Sequence, residues 1–228
     1  MADTVNIGIL FFPRVTQLDA TGPAQVLSRV PGAKMHIIWK TRDPVPTDSG
    51  FSVVPTTTFA DCPQLDVICV PGGAGQIDLM NDQETLDFLR RQAPGARYVT
   101  SVCTGSLVLA AAGLLKGYRS ACHWAAREHL KAFGAIPVAE RVVRDRNRIS
   151  GGGVTAGIDF GLTLLAELAG EDAARSVQLM MEYDPQPPFD SGSPEKAGAE
   201  RVGKLLAAIK PMLENREAAN KEAAARLS

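Results

Sequence analysis

Short apolar runs that close on turn residues alternate with helix-patterned segments along most of this chain, and that alternation restricts the fold more than any other feature. VNIGILFF reads as a buried strand, followed by a helix from Gln17 to Arg29. KMHIIWK alternates in period two as a second strand. LDVICVPGG is a continuous apolar run closed by Pro-Gly-Gly, the pattern of a strand covered on both faces. Asp82 to Gln92 is amphipathic and helical, RYVTSVC is another buried strand, and TGSLVLAAAG is a helix closed by Gly113. ERVVRD and NRIS predict a hairpin; VTAGIDFGLTLLAELAG and EDAARSVQLMMEY predict two further helices. The result is an α/β fold, a mainly parallel sheet with helices on both faces. DPQPPFDSGSP is too rich in Pro and Ser for regular structure. Beyond it, AERVGKLLAAIKPMLE is amphipathic and NREAANKEAAARLS is helical by propensity, a tail that packs on the body or on a second subunit.

Open parallel sheets bind ligands at the carboxyl ends of their strands. That places a site among the loops after Phe12, Val70, Val102 and Ser150. With 228 residues and 45% apolar content the chain can bury a sizeable core. Its net charge of -1 offers no footprint for nucleic acid or an anionic membrane surface. The opening MADTVNIGILFF carries an acid where a signal peptide carries bases, and no apolar stretch is long enough to span a bilayer. The four cysteines, Cys62, Cys69, Cys103 and Cys122, show no paired spacing and read as reduced thiols of a cytoplasmic protein.

Cys103 stands where an apolar strand runs directly into an apolar helix, in Ser101-Val102-Cys103-Thr104-Gly105. A nucleophile at such a turn projects above the sheet edge. The free amides of the new helix favour a thiolate and can hold negative charge on a substrate. The physics is that of a G-x-S-x-G elbow, although Ser101 occupies the position of the first glycine. The alternative is a buried structural cysteine.

A catalytic thiol needs a proton carrier. His36 alternates within a strand and reads as structural; His129, in a charged helix, reads as exposed. His123, in SACHWAAREHL, is the histidine to place near the site, with helix-start, packing and catalytic roles all open to it. Asp19, in PRVTQLDATGPAQVL, is either a helix-start acid stabilised by the dipole or a carboxyl facing the thiol, where desolvation raises its pKa. VPGGAG (70–75) offers oxyanion-binding amides or a plain tight turn. GGGVTA (151–156) fits G-x-G-x-x-A but lacks a following βαβ unit, and reads as a close-packing loop near the site. No His/Cys spacing suits zinc, and Cys122 lacks the strand-to-helix setting of Cys103.

TQLDATGPAQVL, DVICVPGGAG, SVCTGSLVLAAAGLL, CHWAAREHL and GGGVTAGIDFGL, in this order, resemble the PfpI-like superfamily of class I amidotransferase-type folds, and within it the isocyanide hydratases. The resemblance covers about residues 5 to 195. It implies a flavodoxin-like sheet, a homodimer and no cofactor; the chain then reads as one α/β domain over 1–195 with a helical extension over 196–228 that lies outside the resemblance, and with no metal. The resemblance implies Cys103 as nucleophile, Asp19 as general acid/base and Thr104 as a hydrogen-bonding site residue. Amides at Gly72, Gly73 and Thr104 would hold the intermediate, with His123, Gly152 and Val154 completing the binding set. Many members carry His directly after the cysteine; Thr104 stands there instead, against the protease-like or glyoxalase-like branches. The implied reaction is hydration of an isocyanide to an N-substituted formamide through a Cys103 thioimidate. A small neutral substrate agrees with the lack of an Arg or Lys cluster in the proposed loops. Two rival readings use the same thiol: the ligand-sensing half of an AraC-type transcription regulator, and a glyoxalase- or deglycase-type enzyme. The short, non-basic tail speaks against the first, since such regulators continue into a helix-turn-helix reader.

Overall fold

The structure, a computed structural model, describes residues 4–227. In chain order, β1 (Val5–Leu10) and β2 (Ala33–Trp39) are followed by β3 (Val45–Pro46) and β4 (Ser52–Val53), a small separate antiparallel pair. Then come β5 (Thr57–Thr58), β6 (Val67–Val70) and β7 (Tyr98–Val102). β8 (Arg119–Ser120) and β9 (Ile136–Pro137) form a short parallel pair, and β10 (Val142–Asp145) and β11 (Arg148–Gly151) form the expected hairpin. The central sheet has seven strands in the order β10-β11-β7-β6-β1-β2-β5. Every neighbouring pair in it is parallel except β10 with β11. All four residues of β6 are buried, as the continuous apolar run requires of a strand covered on both faces.

On one face, α1 (Gln17–Leu27) packs against α5 (Ala156–Ala169). Gly161 makes the close approach possible, because a Cβ there would sit 3.0 Å from Val26 Cβ. The other face carries α2 (Gln76–Leu79), α3 (Gln83–Gln92) and α4 (Gly105–Ala111). After α5 the chain continues as α6 (Glu171–Met180), α7 (Pro194–Ala197), α8 (Ala199–Ala208) and α9 (Lys210–Ala225). α6 stops at Met180, short of the expected Tyr183, where Glu182 takes a φ of +50°.

The amphipathic stretch to Glu214 is divided between two helices. It breaks at Ile209 between α8 and α9. Pro211 has no N–H to continue α8, and its ring would clash with the carbonyl four residues back. α9 packs on α2, α4 and the 3-10 helical turn Arg127–Phe133, burying Arg216, Ala219, Asn220 and Ala223. The segment read as an extension therefore closes over the body of this same chain. His129 lies on that turn and is half-buried, not exposed. His36 is structural, its ring nitrogens 3.0 Å from Thr57 Oγ1 and 3.1 Å from Asn6 Oδ1. No helix among the described residues is long and apolar enough to cross a membrane. Met1 to Asp3, the acidic opening of the chain, lie outside the described residues.

Candidate active site

β7 enters α4 through Cys103 and Thr104, and the turn is tight enough to force Cys103 to a φ of +58°. An L residue in that left-handed region stores roughly 1–3 kcal/mol, so the surroundings must hold it there. The Cys103 N–H donates to the Gly151 carbonyl at 3.0 Å, and the Ser106 hydroxyl donates to the Cys103 carbonyl at 3.1 Å. Gly105 completes the turn by lying against the end of β6. A Cβ at Gly105 would overlap the Val70 and Pro71 carbonyl oxygens, which are backbone and cannot swing aside. Gly105→Ala should therefore cost about 3 kcal/mol or more, read as a lower urea midpoint. An unchanged midpoint would show that the elbow tolerates a side chain.

Asp19, two residues into α1, is fully buried at this turn. Its Oδ2 accepts from the Gly72 N–H at 2.9 Å. Its Oδ1 makes no hydrogen bond of ordinary geometry, and the Cys103 thiol is the proton-bearing group within reach of the carboxyl. Burial pushes the Asp19 pKa up to about 7 against the opposing pull of the Gly72 amide and the Cys103 thiol. The choice between a helix-start acid and a carboxyl facing the thiol falls to the second. Gly72 is what lets the group in: a Cβ there would meet Thr104 N at 2.6 Å and Asp19 Oδ2 at 2.8 Å.

Cys103 itself is buried, and the standing thiolate expected from the helix amides is not what the site favours. Burial, and then the charge of Asp19, push the thiol well above its ordinary range; the Thr104 N–H opposes them and loses. α4 is a helix of only seven residues, with a correspondingly small field at its start. Burial and the neighbouring carboxyl thus both favour the thiol over a free sulfur anion.

The VPGGAG amides are spoken for as well. The Gly72 N–H serves Asp19, and the Gly73 N–H donates to Thr104 Oγ1 at 3.2 Å. In place of the expected role as free oxyanion donors, they hold Asp19 and Thr104 in position. The Gly152 N–H is likewise committed, to the Arg141 carbonyl at 2.9 Å. Thr104 N–H remains directed at the sulfur.

Above Cys103 opens a cavity of about 160 Å³. Thr104, His123, Val154 and Gly73 line it as expected; Gly152 does not, and it stands back against Arg141. Burial and the nearby Arg216 push His123 toward its neutral form. The roof comes from the tail: Ile209, Met212 and Arg216. These three lie far along the chain from the four strand-end loops, so nothing in the loops' own sequence points to them. The only local signal was an arginine at a helical spacing of four from Met212 on a face otherwise alanine-rich.

The pattern of the DJ-1/PfpI family matches residues 5–167. An isonitrile hydratase of Pseudomonas putida is 56% identical over 224 residues, spanning 98% of this chain and 98% of that protein. The transcriptional regulator GbdR of Pseudomonas aeruginosa is 30% identical over 188 residues, which span 78% of this chain but only 51% of the regulator. Among solved structures, a THiJ/PfpI family protein from Pseudomonas syringae superposes with a TM-score of 0.93 at 46% identity, covering 96% of this chain and 91% of that one.

Proposed function

This chain belongs to the DJ-1/PfpI family, and on that premise we propose that it adds water to isocyanides, R-N≡C, releasing N-substituted formamides. The chain is a lyase of the isonitrile hydratase type, a reading supported by its near-full-length identity with the Pseudomonas putida hydratase. The observation that carries the mechanism is the buried pair of Asp19 and Cys103 at the floor of an open cavity.

A group with a pKa near neutrality both takes and gives a proton efficiently. As the Cys103 sulfur forms a bond to the terminal carbon, the Asp19 carboxylate takes the thiol proton. The carbon, left with a lone pair, takes that proton back from Asp19, giving the thioimidate R-N=CH-S-Cys103. Asp19, ionised again, removes a proton from water as the hydroxyl oxygen adds to the same carbon, and returns it to nitrogen. Loss of the hydroxyl proton forms the formamide carbonyl, the C–S bond breaks, and the sulfur recovers a proton. The balance is one isocyanide and one water in, one formamide out. Thr104, fixed by the Gly73 amide, keeps its N–H on the sulfur as charge develops there. Gly72 holds the carboxyl in line, while His123, with its neutral ring, and Val154 shape the cavity.

This mechanism needs one proton on the pair. At acid pH Asp19 is protonated and cannot accept the thiol's. kcat/KM should therefore rise through about pH 7, the pKa of Asp19, by up to tenfold per pH unit below it. It should stay level beyond pH 9, the ordinary thiol value, because Cys103 is held above it. Formamide formation from an aryl isocyanide, followed across that range, checks both limbs. A profile with no inflection near neutrality would remove Asp19 from the proton path. We also read the chain as a homodimer of a reducing, cytoplasmic setting, in keeping with four cysteines that are all free thiols.

A further inference from the structure

Arg216 on α9 is 3% exposed, yet it has no counter-charge. Its Nε donates to Gln76 Oε1 at 3.1 Å, and an Nη lies 3.8 Å from Met212 Sδ. Both partners are neutral. No carboxylate among the described residues forms an ion pair with it, although the same protein pairs sixteen surface contacts of this kind. The titratable neighbours do not help: burial keeps both nearby thiols protonated, Cys103 held well above its ordinary range and Cys122 pushed up to about 11, and His123 and His129 are driven toward neutrality. Asp19, on the far side of Cys103, is governed by burial, the Gly72 amide, the thiol and Asp48, with no cation among its influences.

A buried, unpaired guanidinium is costly, and arginine is seldom fully buried without a partner. Here the charge lines the cavity over the nucleophile. A fork of N–H donors on the wall of this cavity, with no protein carboxylate to meet it, matches a ligand carboxylate. The expectation of a neutral substrate rested on a site without a cation, and the tail supplies one.

We propose that the substrate is a short isocyanide whose N-substituent carries a carboxylate, bound by Arg216 while Cys103 receives the isocyanide carbon. This rests on the hydratase reading and adds the substrate class to it. The cavity of about 160 Å³ favours a small substituent. Ile209 and Met212 bound the space left for a small side chain.

The test compares isocyanoacetate with its methyl ester on the full-length protein, with cyclohexyl isocyanide as reference. The carboxylate should lead the ester in kcat/KM by roughly 30-fold or more. Arg216→Met should collapse that ratio to near unity, and Arg216→Lys should keep part of it. The wild-type ratio stands even if Arg216→Met fails to fold. An ester hydrated as well as the acid, or a ratio that survives in Arg216→Met, overturns the proposal. So does hydration of cyclohexyl isocyanide alone. If none of the three is hydrated, the hydratase reading itself falls and takes this one with it.

Discussion

Cys103→Ala is expected to bring isocyanide hydration down to the uncatalysed rate, a loss of roughly 10⁴-fold or more. The sulfur forms the only covalent bond between protein and substrate in the scheme, so nothing else at the site can replace it. The substitution should leave the fold standing. Alanine and cysteine meet the same backbone strain at a φ of +58°, and the Cys103 N–H still reaches the Gly151 carbonyl. Intact mass spectrometry supplies a second readout. Wild-type protein quenched during turnover should gain the mass of one isocyanide, and the variant none. Retention of a tenth of the activity, or the same adduct on the variant, would assign the chemistry to another residue, with Cys122 next in line.

Asp19→Asn is expected to lower kcat by roughly 10²- to 10⁴-fold, the usual contribution of a positioned acid/base. The amide is isosteric and can still accept from the Gly72 N–H, so the geometry survives while the proton carrier is lost. Two further effects follow from charge and carry opposite signs to the loss of activity. The Asp19 charge helps push the Cys103 thiol up; removing it lowers that pKa, so alkylation by iodoacetamide near pH 8 should quicken. Stability should also rise at alkaline pH. A carboxyl whose folded pKa is about 7, against 3.8 unperturbed, favours the fold fully below 3.8 and loses that contribution as pH climbs through 7. Asn, which never ionises, escapes the loss. The variant should therefore melt above wild type at pH 8 and close to it at pH 4. A slower alkylation, or a melting temperature that falls at pH 8, would mean that the carboxyl is not held against its own charge.

Stability and activity thus oppose each other at one side chain. Asp19 is buried where its ionised form is disfavoured, and the catalytic cycle uses that displaced pKa. The same logic applies to Arg216, whose uncompensated burial makes sense if a ligand supplies the missing charge.

The strands of the central sheet were legible because their cause is local, except the two-residue edge strand β5, too short to carry a pattern. VICV is buried along its whole length and apolar without interruption; YVTSV is buried from Val99 to Val102 although it carries Thr100, whose hydroxyl donates to the Ile68 carbonyl, and Ser101. The turn at Cys103 was legible for the same reason: a strand pattern abuts a helix pattern, and Gly105 marks the close approach. Helix ends were less so, and the α8–α9 break at Ile209 was missed although Pro211 announces it.

Identity, order and spacing of residues were enough to specify the α/β class, the cysteine elbow and Asp19 as a candidate, because periodicity and turn chemistry act over a few neighbours. Three matters lay beyond them. The protonation of the pair turns on burial and on a contact between residues far apart in the chain. The amides of Gly72 and Gly73 were claimed by Asp19 and Thr104, across separations of 53 and 31 positions. The cation of the cavity arrived from a helix near the other end of the chain. Desolvation and charge depend on what packs around a group in space, and a linear pattern does not contain that information.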